Sequence, residues 1–125
     1  MNREGIGCYG YFPKALSTAE LSARLTEVLG RQPLHIAGGL QRVHSIAWCT
    51  GAAQNYLPQA MALGVDAYLS GEISEQTVHT AKEGNIHYFA AGHHATERYG
   101  VQALGEHLAS VFGIEHHFID IDNPV

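Results

Sequence analysis

Apolar residues first recur at helical spacing after Ser17, and the pattern there predicts an amphipathic helix. Glu20 follows Ser17 by three residues, which predicts a capping box at the start of that helix. Gly30 is the kind of residue that ends a helix. The residues before the helix alternate loosely, so residues 1–16 are predicted to form an edge strand and a connector. The apolar stripe of the helix consists of Leu21, Leu25, Val28 and Leu29.

Short strand-like runs then alternate with helix-like runs along the remaining chain. Pro58 lies inside one predicted helix, so this helix either begins near Asn55 or is kinked. The alternation predicts an α/β fold, with three α/β/α layers around a mixed, largely parallel sheet, in a single domain over residues 1–125. The predicted strands are 43–49, 66–69, 86–91 and 118–121. Predicted helices follow the junction at 50–51 through residues 63–64, open at 70–72 and run to about residue 82, and follow the turn at 92–94 to about residue 112.

Composition narrows the class of protein. The chain has 125 residues, of which 46% are hydrophobic and 15% charged, as in a soluble globular domain. Cys8 and Cys49 form no CxxC pair, so neither a disulfide framework nor a zinc knuckle is expected. The sequence shows no signal region and no apolar run of the ~20 residues that a membrane span needs, so a cytoplasmic protein without a membrane partner is expected.

Charge and histidine content point toward metal chemistry more than toward nucleic acid. The formal net charge is −5, which argues against a surface that neutralises many phosphates. A small nucleotide-like ligand remains compatible, because a bound metal ion can supply local positive charge. The nine histidines outnumber the seven lysines and arginines. This ratio favours a metal site.

Three predicted strands end in small residues that lead directly into a helix. These junctions are residues 49–51, 70–72 and 92–94. If the strands are parallel, all three junctions lie at the carboxyl edge of the sheet, where open α/β sheets bind ligands. Thr50 and Gly71 belong to these junctions, and a helix start at Thr50 is a place where a phosphate can approach.

His93 and Glu97 are the strongest candidates for site residues. They are four residues apart, so they share one face of a helix. Imidazole nitrogen and carboxylate oxygen together are ligands for a divalent metal. The alternatives are a buried hydrogen-bonded His–Glu pair and a pair stabilised at the helix start by the macrodipole. The same face continues through residues 101, 104, 108 and 111, which predicts that it looks inward.

The sequence gives weaker evidence that other histidines belong to the site. His79 follows Glu72 by seven residues, so the two either share a helical face or one of them lies on a solvated surface. His94 either lies beside the site or faces solvent. His116 and His117 are neighbours in a predicted strand, where side chains alternate between the two faces, so a shared metal ion is not expected.

Four blocks of the sequence carry a resemblance to a known family. Residues 43–51, 71–79, 91–98 and 118–124 resemble, in order, blocks of the YbgI-like or Nif-three-like dinuclear metal centre family. Members of this family also bear the name GTP cyclohydrolase I type 2. The resemblance spans nearly the whole chain from about residue 17. It identifies the chain as similar to the carboxyl-terminal half of the family.

The resemblance implies an α/β/α protein of two related halves, assembled into a ring-shaped hexamer, with two metal ions in a cleft between the halves. His93 and Glu97 match the two metal ligands of the carboxyl-terminal half. The amino-terminal half, with its adjacent His pair and an Asp, is absent. The implied activity is divalent-metal-dependent hydrolysis of a nucleotide-like substrate, with zinc, manganese, iron or magnesium as the ion.

The incomplete set of ligands leaves two hypotheses. In the first, the chain is half of a metal-dependent hydrolase that is inactive alone, with Glu72 as a proton shuttle. In the second, it is a noncatalytic binding or oligomer-assembly module. In both cases self-association is expected, because the face that contacted the missing half is apolar.

Overall fold

The structure is a computed structural model that describes residues 5–125, so residues 1–4 of the predicted edge strand and connector lie outside the described residues. A short 3-10 turn, Gln54–Tyr56, precedes the second helix. The strands are β1 (Cys8–Ser17), β2 (Leu34–Ile36), β3 (Arg42–Cys49), β4 (Ala67–Ser70) and β5 (His87–Ala90), and the helices are α1 (Thr18–Leu29), α2 (Leu57–Ala62), α3 (Glu75–Glu83) and α4 (His93–Phe112).

The five strands form one mixed sheet in the order β1-β3-β4-β5-β2. The three central strands are parallel to one another. Both edge strands run antiparallel to their neighbours. The predicted α/β fold with a mixed sheet is confirmed. Because β3, β4 and β5 are parallel, their carboxyl ends lie at the same edge, and each leads into a loop or helix there.

Helices cover both faces of the sheet, so the chain has three layers. Helix α1 and the first turn of α4 pack on one face, around Val43, Leu69 and Phe89. Helices α2 and α3 pack on the other face, around Tyr68 and Tyr88. Each face of the sheet therefore has its own apolar core.

Local sequence signals explain where the helices begin and end. The Ser17 hydroxyl accepts a hydrogen bond from the Glu20 amide, and the Glu20 carboxylate accepts one from the Ser17 amide, so the predicted capping box is confirmed. Gly30 ends α1 with φ +69°. Pro58 lies in the first turn of α2, so that helix begins beside the proline and is not kinked by it. Helix α3 begins later than predicted, after the cap Ser74.

One predicted strand was wrong, and one strand of the sheet was not predicted. Strand β2 has only three residues and gives too short a pattern to be found in the sequence. Residues 118–121 are not a strand, because they lie against α4 and pair with no strand of the sheet. Asp120 holds this segment through His94 and Arg98, and side-chain contacts replace the backbone ladder. Strand β1 also continues through Pro13, with a register irregularity between Tyr11 and Leu16.

The prediction that the stripe of α4 looks inward along its length was also wrong. Leu104 is 57% exposed, and Val101 and Val111 are exposed to a similar degree. The reason is length, since a helix of 20 residues spans about 30 Å whereas a strand of four residues spans about 13 Å. Only the first turn of α4 reaches the sheet core. Within residues 5–125, no helix is long and apolar enough to cross a membrane.

Candidate metal centre

The three strand-to-helix junctions are bonded directly to one another. The Gly71 amide donates to the Gly51 carbonyl at 3.0 Å, and the Gly92 amide donates to the Gly71 carbonyl at 2.9 Å. A Cβ atom on Gly71 would lie 2.7 Å from the Cα atom of His93 and 2.8 Å from the Gly51 oxygen, so glycine is required for this approach. The junctions therefore converge at one edge of the sheet, as the sequence predicted.

His93 stands between two carboxylates at this edge. Its Nδ1 atom lies 2.7 Å from Oε1 of Glu72, and its Nε2 atom lies 3.0 Å from Oε2 of Glu97. Glu97 extends over Gly51, where a Cβ atom would clash with its Oε1 atom. The prediction that the His93 and Glu97 side chains are neighbours facing the carboxyl edge of the sheet is confirmed.

The electrostatics of the site follow from these contacts. The hydrogen bond with Glu72 raises the pKa of His93, partial desolvation acts in the opposite direction, and the charge of Glu97 raises the pKa further. The side chains of His93 and Glu97 are 38% and 51% exposed, so solvent reaches both. In its protonated form, His93 donates from both ring nitrogens.

Two residues that support the candidate site, Gln54 and Thr96, were not predicted from the sequence. Gln54 donates from Nε2 to Oε2 of Glu72 at 3.4 Å, and its own Oε1 atom is buried without a hydrogen-bond partner among the described residues. The Thr96 hydroxyl accepts from the Gly51 amide at 3.0 Å and donates to the Gly92 carbonyl at 2.9 Å. Gln54 and Thr96 each contact a residue that is distant in the sequence. A local sequence pattern therefore does not reveal their roles.

The remaining predicted site residues do not form one group. Glu72 precedes α3 by three residues, so it does not share a helical face with His79, which is exposed on α3. His94 binds Asp120 at 2.7 Å, through its Nε2 atom. Thr50 is exposed and lines an apolar groove beside Trp48. Gly71 is buried at the centre of the site.

His116 and His117 are separated, because His116 packs over Gly105 of α4 whereas His117 is exposed and pairs with Glu115 at 2.9 Å.

His93 and Glu97 supply some, but not all, of the ligands that one divalent ion needs. Two ligand atoms that are each about 2.1 Å from an ion are about 3 Å apart in octahedral geometry and about 3.4 Å apart in the tetrahedral geometry of zinc. The 3.0 Å between His93 Nε2 and Glu97 Oε2 is a hydrogen-bond distance that also matches the octahedral separation. Glu72 lies on the opposite ring nitrogen, where a carboxylate orients a ligating imidazole. Nowhere in residues 5–125 are three or more His, Cys, Asp or Glu side chains arranged to hold a metal ion.

A cavity of about 480 Å³ adjoins the pair. Glu72, His93 and Glu97 form its polar side, and an apolar side faces them. The apolar side includes Val101, Phe118 and Ile119.

The chain is similar to proteins of known family. Residues 1–124 match the sequence model of Duf34/NIF3 (NGG1p interacting factor 3). A GTP cyclohydrolase 1 type 2 homolog of Pseudomonas aeruginosa is 54% identical over 123 residues, which are 98% of this chain and 48% of the relative. One of Vibrio cholerae is 50% identical over 124 residues, 98% of this chain and 49% of the relative.

Two solved structures are also similar to this chain, in fold and in sequence. Protein ybgI, described as of unknown function, has a TM-score of 0.92 and 42% identity, and the match covers 96% of this chain and 49% of that one. The protein TTHA1606 from Thermus thermophilus has a TM-score of 0.83 and 31% identity, with 93% and 47% of the two chains covered. The chain spans about half the length of these proteins.

Proposed function

Because the chain belongs to the Duf34/NIF3 family, we propose that it forms one part of a metal-dependent hydrolase for a nucleotide-like substrate. His93 and Glu97 would bind the divalent ion, whether zinc, manganese, iron or magnesium. One observation carries the proposal: the 3.0 Å between His93 Nε2 and Glu97 Oε2, at a sheet edge where ligands bind. The name of the Pseudomonas aeruginosa relative, GTP cyclohydrolase 1 type 2 homolog, supports the hydrolase class.

The residues of this chain would hold and orient the ion. A bound divalent ion supplies Lewis acidity and lowers the pKa of water. With neutral His93 donating from Nδ1 to Glu72, its Nε2 atom would be free to bind the ion together with Glu97. The Oε1 atom of Glu72 is already engaged in the contact with His93. We therefore propose that Glu72 orients His93 and does not transfer a proton. Gln54 in turn holds the other oxygen of Glu72.

Two protein ligands do not complete a catalytic site, which uses at least three. We therefore propose that further ligands come from the region that corresponds to the part of the relatives that this chain does not span. That part is about half of their length. On its own, the chain would bind metal weakly and would not open the ring of GTP.

A noncatalytic binding or oligomer-assembly module is the second candidate. The observation that favours it is the apolar surface of α4 beyond the sheet, where Leu104 and Phe112 are exposed. Large exposed apolar patches mark interaction sites. Activity after complementation, tested below, distinguishes the two candidates.

Metal binding is the first test. The chain, stripped with a chelator, is titrated with zinc and with manganese by calorimetry. We expect dissociation constants of about 10 µM or weaker, because only two ligands are present. His93→Ala and Glu97→Ala should weaken binding about tenfold or more, whereas His79→Ala, which removes an exposed histidine of α3, should leave it unchanged. Tight stoichiometric binding that survives His93→Ala would place the metal elsewhere and contradict the proposal.

Complementation is the second test. The chain is mixed with the unmatched half of the Pseudomonas aeruginosa relative, and hydrolysis of GTP is followed by the change in purine absorbance. We expect tighter metal binding and measurable turnover only in the mixture, both lost in His93→Ala. A mixture that forms a complex and binds metal through His93, yet hydrolyses neither GTP nor other purine nucleotides, would favour the noncatalytic module.

A further inference from the structure

The segment 113–125 lies along α4 without regular secondary structure. The carboxylate of Asp120 accepts a hydrogen bond from Nε2 of His94 at 2.7 Å and one from Nη1 of Arg98 at 2.9 Å. The amide of His94 also donates to the carbonyl of Val125, at 3.4 Å. Three of the contacts that fix this segment are therefore made with the first two turns of α4.

Arg98 links the segment to the rest of the fold. Its Nη2 atom donates to the Leu29 carbonyl at 2.6 Å, at the end of α1. Arg98 therefore holds α1 with one nitrogen and Asp120 with the other. This arrangement anchors the segment to a helix that packs on the sheet core.

A second anchor lies farther along α4. The His116 imidazole covers Gly105, where a Cβ atom would clash with its Nε2 atom. His116 and Phe118 are partly buried, whereas His117 and Ile119 between and after them are exposed. Alternate side chains thus face α4, and the absence of a side chain at position 105 allows the close approach.

Polar contacts, more than apolar burial, hold the segment in place. Ile119 is 79% exposed and Ile121 is 74% exposed, so neither contributes much buried area. Burial of apolar surface stabilises by about 25 cal/mol per Å², and within the segment the partly buried Phe118 contributes most of it. The Asp120 contacts are the polar restraint, and they are few enough to open.

The segment also forms one side of the cavity beside the candidate metal centre. Phe118 and Ile119 face the cavity from the segment, and His93 and Glu97 face it from α4. Opening the segment would remove Phe118 and Ile119 from the apolar side of the cavity, while Val101 and the candidate metal ligands of α4 would stay in place.

We propose that residues 113–125 are a latched strap that forms one wall of this open cavity, with Asp120 as the latch. The cavity suits a small molecule with a polar group toward His93 and Glu97 and an apolar face toward Phe118. Release of Asp120 from His94 and Arg98 moves this wall away and weakens the hold on such a molecule. The statement about the ligand rests on the proposed function, whereas the strap and its latch do not.

The latch is tested by limited proteolysis of the metal-free chain with chymotrypsin, because cleavage within a packed segment follows the population of its open form. Asp120→Ala should accelerate cleavage after Phe118 severalfold, since the segment loses its contacts with both His94 and Arg98. The control is Asp122→Ala, which removes the same charge from the same segment and should leave this rate unchanged. Cleavage after Tyr68 and Tyr88, which are buried in β4 and β5, should be equal in all variants. Equal rates of cleavage after Phe118 in both variants and the parent would overturn the latch.

The second anchor is tested with two glycines of α4. Gly105→Ala should displace His116 and accelerate chymotryptic cleavage after Phe118 severalfold. Gly100→Ala, at a position where a Cβ atom meets nothing within 4 Å, should not. If the two variants behave alike, the strap does not pack on α4 as proposed. These tests of the strap use no metal. If the strap opens as expected but the chain binds no metal, the proposed function is refuted and the strap is not.

Discussion

Asp66 shows how a single residue joins two strands. Its Oδ2 atom accepts hydrogen bonds from the amides of His44 and Ser45, both at 2.8 Å, and from the Ser45 hydroxyl at 2.9 Å. Asp66 lies just before β4, and His44 and Ser45 belong to β3. The carboxylate therefore supports the pairing of the two parallel strands whose far ends carry the candidate site.

These bonds make stability depend on pH. Partial burial raises the pKa of Asp66, but the hydrogen bonds from His44 and Ser45 outweigh it, and the pKa lies below its ordinary value. The stabilisation is therefore present above the pKa of the unfolded chain and is lost as pH falls through the folded pKa. We predict that Asp66→Asn lowers the unfolding free energy at pH 7 by about 1–2 kcal/mol.

Urea unfolding at several pH values checks this prediction. The difference between the parent and Asp66→Asn should shrink as pH falls from about 5 toward about 2, since the parent carboxylate becomes protonated. Asp122→Asn, an exposed carboxylate of the strap, serves as the control for net charge. A difference that stays constant over the whole range would show that the charge of Asp66 contributes nothing.

At the scale of elements, the capping box of α1 carries a measurable share of stability. Ser17 and Glu20 satisfy each other's amides at the start of the helix, and Leu21 and Leu29 of the same helix lie in the core. We predict that Ser17→Ala lowers the unfolding free energy by about 1 kcal/mol, a usual value for loss of a cap. Thermal and urea unfolding at neutral pH measure the change.

The control for the cap is Ser22→Ala in the interior of the same helix. The side chain of Ser22 makes no capping bond, and alanine has the higher helix propensity, so this variant should be neutral or slightly stabilising. Equal destabilisation by both substitutions would mean that a serine hydroxyl in general, and not the cap, matters for α1.

At the scale of the whole molecule, the exposed part of α4 predicts self-association. Val101, Leu104, Val111 and Phe112 are all exposed on this helix. Because exposed apolar patches of this kind drive association, we predict oligomers in sedimentation velocity at tens of micromolar (on the order of common weak affinities). Leu104→Glu should shift the distribution toward monomer.

Ala103→Glu is the matched control, because it adds the same charge at the adjacent position, which faces a different side of α4. It should leave the oligomer intact. A clean monomer for the parent chain at these concentrations would contradict the prediction and would weaken the case for an assembly module.

The sequence by itself determined the features that depend on neighbours along the chain. The capping box at Ser17, the end of α1 at Gly30 and the four-residue spacing of His93 and Glu97 all follow from local geometry. The alternation of strand and helix determined the α/β class. It also implied that, if the strands were parallel, the junctions after them would meet at one edge, since a helical crossover between parallel strands brings the chain back to the same starting edge.

Only the tertiary structure decided which distant groups meet. Glu72 reaches Nδ1 of His93, and Thr96 joins two junctions, through loops whose paths no spacing encodes. Residues 118–121 alternate as a strand would, yet they pack against α4, because the ionic partners of Asp120, His94 and Arg98, lie on that helix. Local periodicity specifies conformation, whereas the choice among possible partners depends on the packing of the whole chain.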